Sequence, residues 1–123
     1  SKAVFFDEKD LPEDRVSGMI IFMKVMGTPD VKQIDGMGGT VSSTSKVAII
    51  SKSDRPDVDV NYTFRQVDII IPRVDGSANC GNISSAVGPF AIDEGLVPAV
   101  EPITVVRILK YPIPTRSLKN MYV

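Results

Sequence analysis

Gly36-Met37-Gly38-Gly39-Thr40-Val41-Ser42-Ser43-Thr44-Ser45-Lys46, read together with Asn79-Cys80-Gly81-Asn82, decides the fold of this chain. The first stretch is a run of glycines and hydroxyl-bearing residues, closed by one lysine and running into the apolar segment Val47 to Ile50. Glycine lets the main chain approach a bound group closely and adopt the positive φ angles by which successive N–H groups converge on an anion. The lysine adds a cation. The second stretch puts the chain's one cysteine at the start of a helical pattern, with Ile83, Ala86, Val87, Phe90 and Ala91 on one face and Asn79 as a cap. Free N–H groups and the macrodipole at such a helix start favour a thiolate or a bound carboxylate.

Upstream, Ala3 to Phe6 reads as a short strand. A helix capped by Asp10 or a neighbour then carries a stripe of Met19, Ile20, Phe22, Met23 and Met26, and stops at Gly27. Val47 to Ile50 reads as a strand buried on both sides. From Val58 to Val74 the alternation Val60, Tyr62, Phe64, then Val67, Ile69, Ile71, predicts one long strand with a bulge near Arg65-Gln66. In the second helix, Gly88-Pro89 predicts a kink or restart, because an interior proline forfeits a hydrogen bond at about 3 kcal/mol. Ile103 to Leu109 is a last strand, and residues 110–123 read as an unpatterned tail after a single domain over 1–109.

Composition narrows the chemistry. A 43% hydrophobic share, 24% charged residues and a net charge of −1 fit a globular chain without the basic footprint that nucleic acid or an anionic membrane requires. One cysteine and no histidine leave no disulfide framework, no zinc site and no Ser-His or Cys-His pair. The chain opens on a strand-like segment and lacks a basic stretch followed by an apolar core, so a cytoplasmic location is expected.

Lys32-Gln33-Ile34-Asp35-Gly36-Met37-Gly38-Gly39, Ser42-Ser43-Thr44-Ser45-Lys46, Asn79-Cys80-Gly81-Asn82 and Ala86-Val87-Gly88-Pro89-Phe90-Ala91 occur in the order seen in the PrpF family. The chain resembles that family from Ser1 to about Ile108. Its members are cofactor-independent isomerases and tautomerases of unsaturated di- and tricarboxylates. The resemblance implies an α+β, diaminopimelate-epimerase-like domain: a curved, mainly antiparallel sheet wrapped around a central helix that begins here at Cys80. It implies an active site between two such domains, with Lys46 and Cys80 as the proton-transfer pair. Gly38, Gly39, Ser42, Ser43, Thr44, Ser45, Asn79, Gly81 and Asn82 would hold the substrate's carboxylates, with no cofactor and no metal.

Relative to that pattern the chain lacks the segment Met-Arg-Gly-Gly-Thr before Ser1 and the whole second domain, so it reads as a truncated, N-terminal half. One domain offers one wall of the cleft, and a homodimer is the expected way to complete it. The alternative functions are a catalytically dead remnant that self-associates, or a domain that binds a small polycarboxylate without turning it over.

Overall fold

The computed structural model describes residues 1–76, 81–111 and 117–123. Its strands are β1 (Ala3–Asp7), β2 (Lys46–Lys52), β3 (Val60–Val67), β4 (Val74–Asp75), β5 (Val105–Tyr111) and β6 (Ser117–Tyr122). Its helices are α1 (Arg15–Met26), α2 (Gly81–Ser84) and α3 (Val87–Asp93). The sheet runs β1-β2-β3-β5-β6, with β4 beside the end of β3. β1–β2 and β3–β5 are parallel, whereas β2–β3, β3–β4 and β5–β6 are antiparallel. The fold is therefore α+β on a mixed sheet. No helix among the described residues is long and apolar enough to cross a membrane.

Each face of the sheet has its own core. Ala48 and Ile50 of β2, Val60, Tyr62 and Phe64 of β3, and Val106 and Ile108 of β5 pack with Ile83, Val87 and Ala91 of α2 and α3. On the other face, Val47 and Val67 pack with Phe22 and Met26 of α1. Strand side chains alternate between faces, and consecutive phenylalanines of β1 show the result. Phe5 lies 5.3 Å from Phe90 of α3, whereas Phe6 lies 5.6 Å from Phe22 of α1 (ring centroids). β2 is thus covered on both sides, as its continuous apolar run predicts.

Several local expectations are corrected. Asp14, not Asp10, caps α1, its carboxylate accepting from Ser17 N–H. The buried line of α1 is Gly18, Phe22 and Met26, and Ile20 is exposed. β3 ends at Val67 without a bulge: its register with β2 is continuous from Lys46↔Gln66 to Lys52↔Val60. The change of phase arises because Val67 faces α1 while Phe64 faces α3, so the buried side switches while the backbone runs on. Ile70 and Ile71 lie in an exposed turn. The second helix does restart, but at Val87; Pro89 then stands in the first turn of α3, where a missing N–H costs nothing.

The stretch expected as an unpatterned tail supplies β6, paired with β5 from Val105↔Tyr122 to Lys110↔Ser117. It also packs against α3. A Cβ at Gly88 would lie 2.7 Å from Met121 Sδ and from Val123 Cγ2, so glycine there sets the approach of α3 to β6.

β3 and β5 are also joined by a fork. Arg107 donates Nη2–H to Asp59 Oδ1 at 3.0 Å, and its main-chain N–H to Oδ2 at 2.7 Å. These bonds hold the Asp59 carboxyl below the usual carboxylate range, the Arg107 side-chain bond contributing most. A carboxyl whose folded-state pKa is depressed stabilises above its unfolded pKa, and that stability is lost as pH falls through the folded value. Solvent screening keeps the contribution of this exposed pair small. Asp59→Asn is expected to lower the urea midpoint at neutral pH and to converge with the wild type as the pH falls below the usual carboxylate range.

Candidate active site

The segment between α1 and β2 is built onto the C-terminal end of α1. Gly27, at φ 85°, caps the helix, its N–H reaching the carbonyls of Met23 and Lys24. Met37 N–H then donates to Val25 O at 2.7 Å and Gly38 N–H to Met26 O at 3.2 Å. The carbonyls that a helix end normally leaves unpaired are thus satisfied by the loop itself. The Gly38 amide is therefore committed to the helix end.

Gln33 holds the loop from inside. It is 2% exposed and has a φ of 45°. Its Oε1 accepts Thr40 N–H at 2.7 Å and its Nε2 donates to Ser45 Oγ at 3.1 Å. Thr40 is itself held at φ 73°. Two non-glycine residues in the left-handed region, joined by one buried amide, mark strained backbone that the surroundings must over-determine. Ser45 is fully buried, and its hydroxyl donates to Val41 O at 2.9 Å; the Thr44 hydroxyl bonds to Gly38 O. The Ser45 and Thr44 hydroxyls thus hold the shape of the loop. Gln33→Leu leaves the Thr40 amide and the Ser45 hydroxyl short of a partner. It is expected to cost about 2–3 kcal/mol by urea denaturation.

Three of the groups expected to bind carboxylates remain open to a ligand on this loop. Gly39 is exposed at φ 77°, and Ser42 and Ser43 are exposed on a one-turn 3-10 helix over Ser42–Thr44. Among the described residues, the Gly39 N–H and the Ser42 and Ser43 hydroxyls have no hydrogen-bond partner.

Lys46 opens β2 directly after the pinned serines. In register it stands beside Ala3 and opposite Gln66. Gln66 is in turn fixed by Nε2 bonds to Ser42 O at 2.9 Å and Ser45 O at 3.1 Å. The half-buried Lys46 lies on the α2–α3 face, its Nζ 5.8 Å from the centre of the Phe64 ring. Ile83 of α2 belongs to the same core cluster as Phe64 and Ala48. Gly81 and Asn82 are exposed in the first turn of α2. Asn79 and Cys80 lie outside the described residues. Reading the sequence missed Gln33 and Gln66 as positioning residues; the one available signal was a polar, uncharged side chain at either end of the glycine loop's contacts.

A family model described as PrpF protein matches residues 1–120, into β6 and past Ile108, where the resemblance read from the sequence ended. The chain is 59% identical over 105 residues to a 2-methyl-aconitate isomerase of Cupriavidus necator, covering 80% of this chain and 26% of that protein. It is 53% identical over 104 residues to a 3-methylitaconate isomerase of Eubacterium barkeri, covering 85% of this chain and 27% of that one. A solved crystal structure of a methylitaconate-delta-isomerase superposes with a TM-score of 0.89 at 46% identity, over 98% of this chain and 31% of the other. The chain thus spans roughly three-tenths of the length of the relatives it matches.

Proposed function

The chain belongs to the PrpF family, and on that premise we propose that it forms one wall of an isomerase or tautomerase site for small unsaturated di- or tricarboxylates. Its domain is of the diaminopimelate-epimerase-like class, with the helical stretch expected from Cys80, continuing through α2 and α3, as the central helix. A second copy supplies the facing wall as a homodimer. The reaction is a proton removed from carbon, a carbanion delocalised over the double bond and carboxylate, and a proton returned at another carbon or after rotation. Atoms balance within the substrate, and no cofactor takes part.

Lys46 and Cys80 share the two proton-transfer roles, one removing the proton and the other returning it. The Gly39 N–H and the Ser42 and Ser43 hydroxyls, with Asn79, Gly81 and Asn82, hold the carboxylates. Donors preorganised on developing charge are worth about 3–4 kcal/mol each. The observation that carries this reading is the placement of Lys46, which leaves a loop locked by Gln33 and Gln66 and projects onto the sheet face that α2 covers. Following cis-to-trans aconitate interconversion by absorbance tests it. Turnover that scales with dimer content supports the reading; saturable binding without turnover would leave a carboxylate-binding domain.

A further inference from the structure

On the sheet face away from Lys46, a cavity of about 140 Å³ opens between the first turns of α1 and strands β2, β3 and β4. Phe22, Ile49 and Val74 form its apolar floor. Two glycines give it its shape. Gly18 is buried in the interior of α1, yet a Cβ placed there meets nothing within 4 Å. Glycine weakens a helix relative to alanine, and here the missing side chain leaves the cavity its volume. Gly76 stands on the opposite wall, where a Cβ would come 3.1 Å from Arg65 Nη1, so glycine gives the guanidinium its room.

Arg65 lines the cavity and is half-buried. Its hydrogen bond to the protein runs from Nη1 to the Phe64 carbonyl at 2.9 Å, and none of the ion pairs among the described residues includes it. A guanidinium carries five N–H donors in a fixed fork and stays charged, so most of its donors are available. Burial, and then the charge of Arg15, lowers its pKa from the usual guanidinium value, as for a cation short of a counter-charge.

We propose that this cavity binds a small monocarboxylate with an apolar tail, the carboxylate taken by the fork of Arg65 and the tail lying on Phe22, Ile49 and Val74. An apolar cavity near 150 Å³ holds a molecule of about six heavy atoms, which sets the size of the ligand. Glu8 and Asp14 also line the cavity. Asp14 Oδ2 is occupied by Ser17 N–H and Oγ–H, at 3.0 and 2.7 Å. Arg15 lines the cavity as well, so the two carboxylates are balanced by two arginines, and it is the room for about six heavy atoms that disfavours the larger di- and tricarboxylates proposed for the opposite face of the sheet.

Titrating the isotopically labelled chain with sodium butyrate, followed by amide NMR, tests the proposal. Saturable shifts centred on Gly18, Arg65 and Val74 are expected, with succinate weaker by about tenfold or more. Arg65→Gln is expected to weaken butyrate by about tenfold or more. Gly18→Leu, whose side chain fills the cavity, abolishes saturation while keeping a cooperative thermal melt. Absence of saturable shifts at those amides, wild-type affinity in either well-folded variant, or succinate binding as tightly as butyrate would overturn it.

Discussion

Gly36→Ala is expected to cost about 3 kcal/mol or more. A Cβ at Gly36 would overlap the backbone N of Gly27 and the carbonyl carbon of Met26, and would stand 2.6 Å from Gly27 Cα. All three are main-chain atoms at the end of α1, so no rotamer change relieves the overlap. The loop or the helix cap has to move, and with it go the bonds from Met37 to Val25 and from Gly38 to Met26. A domain of this size has a total stability of about 5–15 kcal/mol, so the loss moves the urea midpoint far toward zero denaturant. A midpoint equal to the wild type's, with an unchanged slope, would show that the loop does not rest on the helix end as described. Because the same loop delivers Lys46, surviving folded protein should also lose ligand affinity.

Lys46→Ala is expected to lower turnover of the proposed isomerisation by about 10²–10⁴-fold, the usual worth of a positioned proton-transfer group. The fold should survive it. Lys46 is the first residue of β2 and half-buried, and its contact with the Phe64 ring is an attraction worth about 1 kcal/mol or less. Ala48 and Ile50 still anchor the strand in the core. Unchanged thermal unfolding with lost turnover separates a chemical role from a structural one. A variant that kept full turnover would remove Lys46 from the mechanism.

How far the sequence revealed the structure depends on what kind of signal each element carries. β1 and β2 announce themselves as short continuous apolar runs covered on both faces, and α1 as a long apolar run stopped by Gly27, although only Gly18, Phe22 and Met26 of it are buried. The cap of α1 was less legible: Asp7, Asp10 and Asp14 all fit a helix start, and Asp7 is taken by the 3-10 turn through its bond to Lys9 N–H. The end of β3 was misread because the apolar residues Ile69 and Ile71 continue an alternation that the backbone abandons after Val67. β6 left no apolar alternation because it lies at the sheet edge and is specified by pairing with β5. In the site, Lys46 was legible from the motif that ends in it. Ser45, Thr44 and Gly38 were recognised as a loop, but their partners within the protein were not legible. Their hydrogen bonds close within the loop and onto α1, a matter of three-dimensional packing around the buried Gln33 that no periodicity records.

The role proposed for this chain is to move a proton on an unsaturated carboxylate through Lys46. Its most direct test is aconitate in deuterated buffer with the purified chain, read by proton NMR, with light scattering on the same sample. A dimer is expected, with cis-trans interconversion accompanied by deuterium at substrate carbon, and loss of both exchange and interconversion in Lys46→Ala. A dimeric wild-type chain that neither exchanges deuterium nor interconverts aconitate, 2-methylaconitate or methylitaconate would contradict it.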